Sequence, residues 1–335
     1  MGFLRFLPQP IRGLSAVPHA LPSPREAVGR VARREATNRV GGRLTRLSQA
    51  AHTPNPSPPL RGGGESRRLA DGDSSGSVLH MNESWLAGVD GCTKGWLVAL
   101  VRPAGTQVRI CVVQRLRDLI HLPEDPVVVA VDMPIGLPAR AGYGGRQAET
   151  AVRALLGARC SSVFSIPSRQ AVFAETGPFG DGRSRYAAHR RACTIAQATS
   201  DPPRRITIQA FGIFEKIREV DALLRGDRSL TERIFETHPE VAFWRLNGDR
   251  ELSEPKKKKG RAYEPGLLLR RRLLIREGLP IEVVEAPPPP GAGRDDLLDA
   301  LACAALARRI YKDVAHSFPD PPGRDEFGLP MAIWA

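Results

Sequence analysis

Asp295, Asp296 and Asp299 fall within five residues in Arg294-Asp-Asp-Leu-Leu-Asp-Ala300, which opens an alanine-rich helix, and no Lys or Arg stands four positions downstream to pair with them. On a helix, Asp296 and Asp299 share one face with Cβ atoms about 5–6 Å apart, where like charges repel unless a cation neutralises them. Far upstream, two apolar runs, Trp85 to Asp90 and Val127 to Asp132, each read as a buried strand that ends in an aspartate and then a Gly or Pro turn. Burying such carboxylates is costly unless they are paired or metal-bound. Asp90, Asp132, Asp296 and Asp299 therefore read as metal ligands, with Glu240 as a fifth catalytic candidate. Their hard oxygens suit Mg²⁺ or Mn²⁺ and not zinc. Two such ions about 3.5–4 Å apart can activate a water and stabilise the leaving oxygen of a phosphodiester. A structural account competes with this one. In it, Asp90 and Asp132 cap turns, Asp295 is an N-cap, and Asp296 and Asp299 favour the helix macrodipole. That account explains single aspartates better than their repeated placement at strand ends.

Candidate substrate contacts surround this set. Thr93 and Lys94 lie in the polar turn from Gly91 to Gly95, which can present backbone N–H groups to a phosphate or simply close a hairpin. Arg159, Ser161, Ser162 and Arg169 carry the guanidinium and hydroxyl groups that usually meet phosphates, although capping and loop packing use the same residues. Lys216 is a further candidate, but with Arg218, Glu219 and Asp221 it falls on a helix where ion pairs also explain it. His238 reads as a packing residue rather than a general base. The run Lys256 to Lys259 reads as a solvated loop.

The elements that must position these residues follow from patterning. Strands to Asp90, from Trp96 to Val101 and from Val108 to Val113 form an antiparallel meander with short turns. A helix near Leu116 to His121 then leads to a strand ending at Asp132, parallel to the first. This predicts an α/β fold with an RNase H-like mixed sheet flanked by helices and a helical insertion at about 139–229. Helices are expected at Arg146 to Leu156 and Ile206 to Leu224. Beyond the insertion come a strand at Arg233 to Thr237, helices at Glu240 to Leu246 and Gly266 to Glu277, a short strand at Ile281 to Val284, and the closing helix.

The chain has 335 residues, 41% hydrophobic and 25% charged, enough for a sizeable core. Of its net charge of +13, residues 1–80 supply +7 through twelve arginines against five acids, leaving +6 for the rest, compatible with a basic groove. Residues 1–80 are rich in Pro, Gly, Ser and Arg and read as a disordered low-complexity arm, a transit segment, or translated upstream DNA with the start at Met81; the last is favoured. No apolar run reaches membrane-spanning length. The cysteines Cys92, Cys111, Cys160, Cys193 and Cys303 are scattered, with no zinc spacing, and point to reduced thiols and a cytoplasmic setting.

Six segments in order resemble one family. They are Gly88-Val-Asp90-Gly-Cys with Gly95-Trp96, Val131-Asp-Met-Pro-Ile-Gly-Leu-Pro138, Ser161-Ser-Val-Phe164, Gln209-Ala-Phe-Gly-Ile213 with Lys216-Ile-Arg-Glu-Val-Asp221, His238-Pro-Glu-Val241 with Leu246-Asn-Gly248, and Asp295-Asp-Leu-Leu-Asp-Ala-Leu-Ala302. The chain from about residue 85 to 335 resembles the domain of unknown function 429 family, predicted nucleases of the RNase H fold. The closing helix also resembles that of Holliday-junction resolvases, whose Asp-x-x-Asp-Ala pair maps onto Asp296 and Asp299. At Gln147-Ala-Glu149 the chain departs from the family's Cys-Asp. The resemblance implies a metal-dependent nuclease acting on DNA or RNA. The alternatives are an ATP-binding enzyme of the actin or sugar-kinase type, using Asp90-Gly-Cys-Thr93 for phosphates, and a noncatalytic nucleic-acid-binding module. Nothing in the sequence fixes the oligomeric state.

Overall fold

The computed structural model describes residues 83–335, so the reading of residues 1–80 lies outside the described residues. Strands β1 (Leu86–Cys92), β2 (Gly95–Val101) and β3 (Val108–Val113) form the expected antiparallel meander. A one-turn helix, α1 (Leu116–Leu119), leads to β4 (Val128–Val131), which pairs parallel with β1. The fifth strand of this sheet, β5 (Ile234–Glu236), lies parallel to β4 and completes the order β3-β2-β1-β4-β5. This is the mixed α/β sheet, in RNase H-like order, that the patterning predicts.

Between β4 and β5 the insertion folds as α2 (Gln147–Arg153), a 3₁₀ segment (Gly157–Ser162), α3 (Arg169–Phe173), α4 (Gly182–Ala198), α5 (Ile208–Gly212) and α6 (Phe214–Gly226). The single helix expected from Ile206 to Leu224 is split at Ile213, and Thr207 caps the first piece by accepting from the Ala210 N–H. After β5 come α7 (Pro239–Leu246), a small hairpin of β6 (Lys257–Lys258) and β7 (Arg261–Ala262), α8 (Glu264–Arg276), α9 (Ile281–Val284) and α10 (Arg294–Tyr311). The strand expected at Ile281–Val284 is thus helical. It packs between α8 and α10 with no strand beside it, so tertiary context overrides its β-branched preference. A C-terminal hairpin, β8 (Ser317–Arg324) with β9 (Pro330–Trp334), closes the chain.

Alternation along the central strands feeds two cores. Leu86, Val128 and Ala130 face the layer of α7, α8 and α10, whereas Ala87, Val89, Val129 and Val131 face the layer that contains α4 and α6. Burial on both faces explains why β1 and β4 read as unbroken apolar runs. The stripe of Ile217, Val220 and Leu224 belongs to the second core. Among the described residues no helix is long and apolar enough to cross a membrane.

One close approach brings the two ends of the chain together. A Cβ placed on Gly88 would stand 2.0 Å from the Ala304 nitrogen and 2.2 Å from the Ala300 oxygen, so the backbone of α10 rests directly on β1. Gly88 and the alanines of α10 make that contact sterically possible. Gly88→Ala should drive the helix off the strand and cost about 1–3 kcal/mol or more, as overpacking of a close-packed core does. A urea melt checks this; a wild-type midpoint would mean that the contact is not needed.

Candidate functional site

The parallel register sets Gly88 beside Ala130 and Val89 beside Val131. The next position sets Asp90 beside Asp132, and the Asp132 N–H donates to the Val89 carbonyl at 2.9 Å. Neighbouring strands lie about 4.8 Å apart, so the two carboxylates leave adjacent strand ends on the face covered by α10. Because Ala300 and Ala304 rest on Gly88, Asp299 is carried to the same place. A cleft of about 510 Å³ opens here, with Asp90, Asp132, Glu236, Glu240, Lys216 and Lys256 in its wall. In open parallel sheets the space beyond the strand C-termini is the usual ligand site.

The electrostatics follow from crowding. Burial, with Asp132 and Asp299 nearby, holds the Asp90 carboxyl well above the usual carboxylate range. Burial and Asp299 push Asp132 up to about 8. Burial also raises Asp299, against the pull of Lys256. Asp299 Oδ2 accepts from Lys256 Nζ, whereas Asp299 Oδ1 is buried without a hydrogen-bond partner. An orphaned carboxylate oxygen costs free energy and leaves room for a further positive partner. Lys256 is itself held above the usual lysine range, because Asp299 and Glu240 outweigh the effect of its burial. The expectation of a solvated lysine run therefore fails at its first member. Lys256 enters the acidic cluster and Lys257 pairs with Asp295 at 2.5 Å. Among the described residues no three His, Cys, Asp or Glu side chains stand close enough together to hold a metal ion as they are. The charge of Lys256 fills that role in part.

Other expected site residues are placed differently. Glu240 has both oxygens 2.7 Å from Arg270 Nη2, and both side chains are buried, so it is a paired structural charge at the cleft wall. Asp296 accepts from the Gly293 N–H at 2.8 Å and caps α10; burial raises it above the ordinary range. Thr93 and Lys94 line a separate groove next to the cleft, because the Thr93 N–H is bonded to the Gly291 carbonyl and the Lys94 stem lies against Gly291. Lys216 borders both spaces. Its stem lies over Gly91, its Nζ donates to the Gly95 carbonyl at 2.6 Å, and burial lowers it from the ordinary lysine range. Ser162 faces the cleft, while Ser161 faces a second cavity behind it. Arg159, half-buried in the same 3₁₀ segment, lines neither space. Arg169 is not a phosphate contact of this cleft: it is spent on Asp221 and Asp325, at 2.8 and 2.7 Å.

His238 Nδ1 accepts from the Glu240 N–H at 3.2 Å as the cap of α7, and burial lowers the ring to about 4, so it is neutral at pH 7. Sequence reasoning missed Glu236 and Arg146. Glu236 ends β5 as Asp90 and Asp132 end their strand runs, but its apolar run is too short to stand out. Arg146 Nη2 lies 2.5 Å from both Glu236 Oε1 and Glu149 Oε1, and Glu236 also accepts from the Ile135 N–H. Burial raises Glu236 to about 7 in spite of Arg146. Glu149, the residue at the family departure, thus helps to anchor the loop after β4 that carries Asp132.

No curated protein and no solved structure matches the chain. The family model described as Protein of unknown function (DUF429) matches residues 88–324, a span that runs from within β1 to the end of β8, and the chain belongs to that family.

Proposed function

We propose that this protein is a divalent-metal-dependent nuclease that hydrolyses phosphodiester bonds of DNA or RNA, with Mg²⁺ or Mn²⁺ held by Asp90, Asp132 and Asp299. The observation that carries the reading is the convergence of Asp90 and Asp132 in the cleft wall with Asp299 near enough behind it to raise both, its Oδ1 buried without a partner. Such crowding is costly in the protein alone and becomes favourable when a cation is added. When bound, the metal supplies a water activated as nucleophile and stabilises the leaving oxygen. Asp90 and Asp132 would hold it from adjacent strand ends and Asp299 from the helix. Asp296 keeps the first turn of α10 in register through its bond to Gly293. Lys216, at the cleft mouth, offers a cation to a phosphate oxygen. The five cysteines, all free, suit a reducing cytoplasmic setting.

The test is cleavage of labelled DNA and RNA, single-stranded, duplex and branched, with Mg²⁺, with Mn²⁺ and with a chelator, while ATP turnover is followed in parallel. Cleavage that needs the metal is expected, without ATP turnover. Cleavage undiminished by the chelator, or ATP hydrolysis with no cleavage, would sink the proposal.

A further inference from the structure

Behind the carboxylate cleft lies a second cavity of about 390 Å³, within the size range of small-ligand sites, which begins at about 300 Å³. Val163, Phe164 and Ile166 line both spaces and form the wall between them. The lining of the second cavity includes Arg153, Arg204 and Arg205 and four hydroxyl residues, Ser161, Ser165, Ser200 and Thr207, but no carboxylate.

Among the described residues, none of the three arginines is paired with an acid. The Arg153 guanidinium is fixed by the Gly144 and Val163 carbonyls and by Ser165 Oγ, and burial lowers it against the pull of the nearby Glu149. Arg205 reaches only the Gln197 side chain, at 3.4 Å. Arg204 stacks over the Tyr143 ring at 4.4 Å, and Tyr143 is 71% exposed. Gly142 and Gly144 line the cavity on either side of Tyr143. At its edge, therefore, Arg204 and Arg205 offer spare donors, Arg153 adds a fixed positive charge, hydroxyls stand beside them, and the exposed Tyr143–Arg204 stack offers a flat platform. That is what an anionic group attached to a flat ring would meet. A nucleotide unit has that chemistry, and stacking of an unpaired base on an aromatic ring is the usual way single strands are held.

We propose that this cavity binds one nucleotide of a single-stranded segment next to the scissile bond, its phosphate among Arg153, Arg204 and Arg205 and its base on Tyr143, with the strand crossing the Phe164 wall into the cleft. The proposal rests on the nuclease reading of that cleft. It assigns the substrate as single-stranded at this point, because the wall separates two spaces that a rigid duplex would not enter together.

The test is fluorescence anisotropy on the full chain with labelled single-stranded DNA, single-stranded RNA and duplex DNA, in chelator so that binding is read without cleavage. Arg204→Glu/Arg205→Glu should weaken single-strand binding by more than about tenfold and lower the slope of log K against log salt by roughly 1–2. Tyr143→Ala should weaken it by about tenfold. Circular dichroism verifies that these exposed substitutions leave the fold intact. Wild-type affinity in both variants overturns the proposal. So does duplex bound as tightly as single strand, or inorganic phosphate competing as well as an oligonucleotide. If the double variant loses single-strand binding while wild-type protein fails to cleave with metal, the subsite stands and the nuclease reading falls. Metal-dependent cleavage in a double variant that binds normally has the reverse meaning.

Discussion

Asp90→Asn should do two opposite things: lower metal-dependent cleavage by roughly a hundred- to ten-thousandfold, and make the metal-free protein more stable at neutral pH. The first effect follows from removing one ligand of a cation that supplies several kcal/mol of transition-state stabilisation, at 1.36 kcal/mol per tenfold. The second follows from linkage. Asp90 is raised above its unfolded value by burial, Asp132 and Asp299, so its contribution to stability is present below the ordinary carboxylate pKa and is lost as pH rises towards the folded value. The same holds for Asp132, whose window runs from about 4, the unfolded value, to about 8. In chelator, wild-type protein should therefore lose stability steadily across that window. Asp90→Asn should melt higher than wild type at pH 8 and match it near pH 4. Added Mn²⁺ should erase the advantage, because it stabilises only the protein that keeps the ligand. A variant that melts lower than wild type at pH 8 in chelator would show that Asp90 is a structural cap, and full cleavage by it would remove Asp90 from the site.

The parts of this arrangement that were legible in the sequence are those encoded by local chemistry. Asp90 and Asp132 could be found because each ends an unbroken apolar run, and such runs are what a strand buried on both faces requires. Asp296 and Asp299 could be found because their spacing sets like charges on one helix face. Pairing across long separations was not legible. Arg169 looked like a phosphate contact, but its acids are Asp221 and Asp325, which are 52 and 156 residues away. Glu240 looked like a ligand until Arg270 met it from α8. Lys256 looked solvated because the residue that draws it inward, Asp299, lies 43 residues further along. Each error has the same physical origin: a charged side chain is interpreted by its partner, and tertiary folding chooses the partner. The Tyr143 and Arg204 platform was hidden for the same reason, since the two meet only when the segment after α4 pairs with the loop before α2, at Ala141 and Ser200.

Replacing Lys256 tests whether the protein carries its own substitute for the cation. Lys256 Nζ is bonded to Asp299 Oδ2 and counters the repulsion felt by Asp90 and Asp132. The Tyr263 N–H donates to the Lys256 carbonyl at 2.9 Å, so the backbone is fixed and only the side chain need withdraw for a metal to reach Asp299. Lys256→Met keeps an apolar stem and deletes the charge. Breaking a buried pair strands the remaining ion, and with Lys256 side chain 25% exposed the low end of the usual cost applies, about 3 kcal/mol. In chelator the variant should melt well below wild type. Its affinity for Mn²⁺ should nevertheless rise by about tenfold or more, because the ion no longer competes with an internal cation for Asp299, so saturating Mn²⁺ should restore most of the lost stability. Calorimetric titration of Mn²⁺ at one pH separates this from the opposite case. If Lys256 instead helps to assemble the ligands, the variant will bind Mn²⁺ more weakly than wild type, and competition between lysine and metal for Asp299 is then excluded.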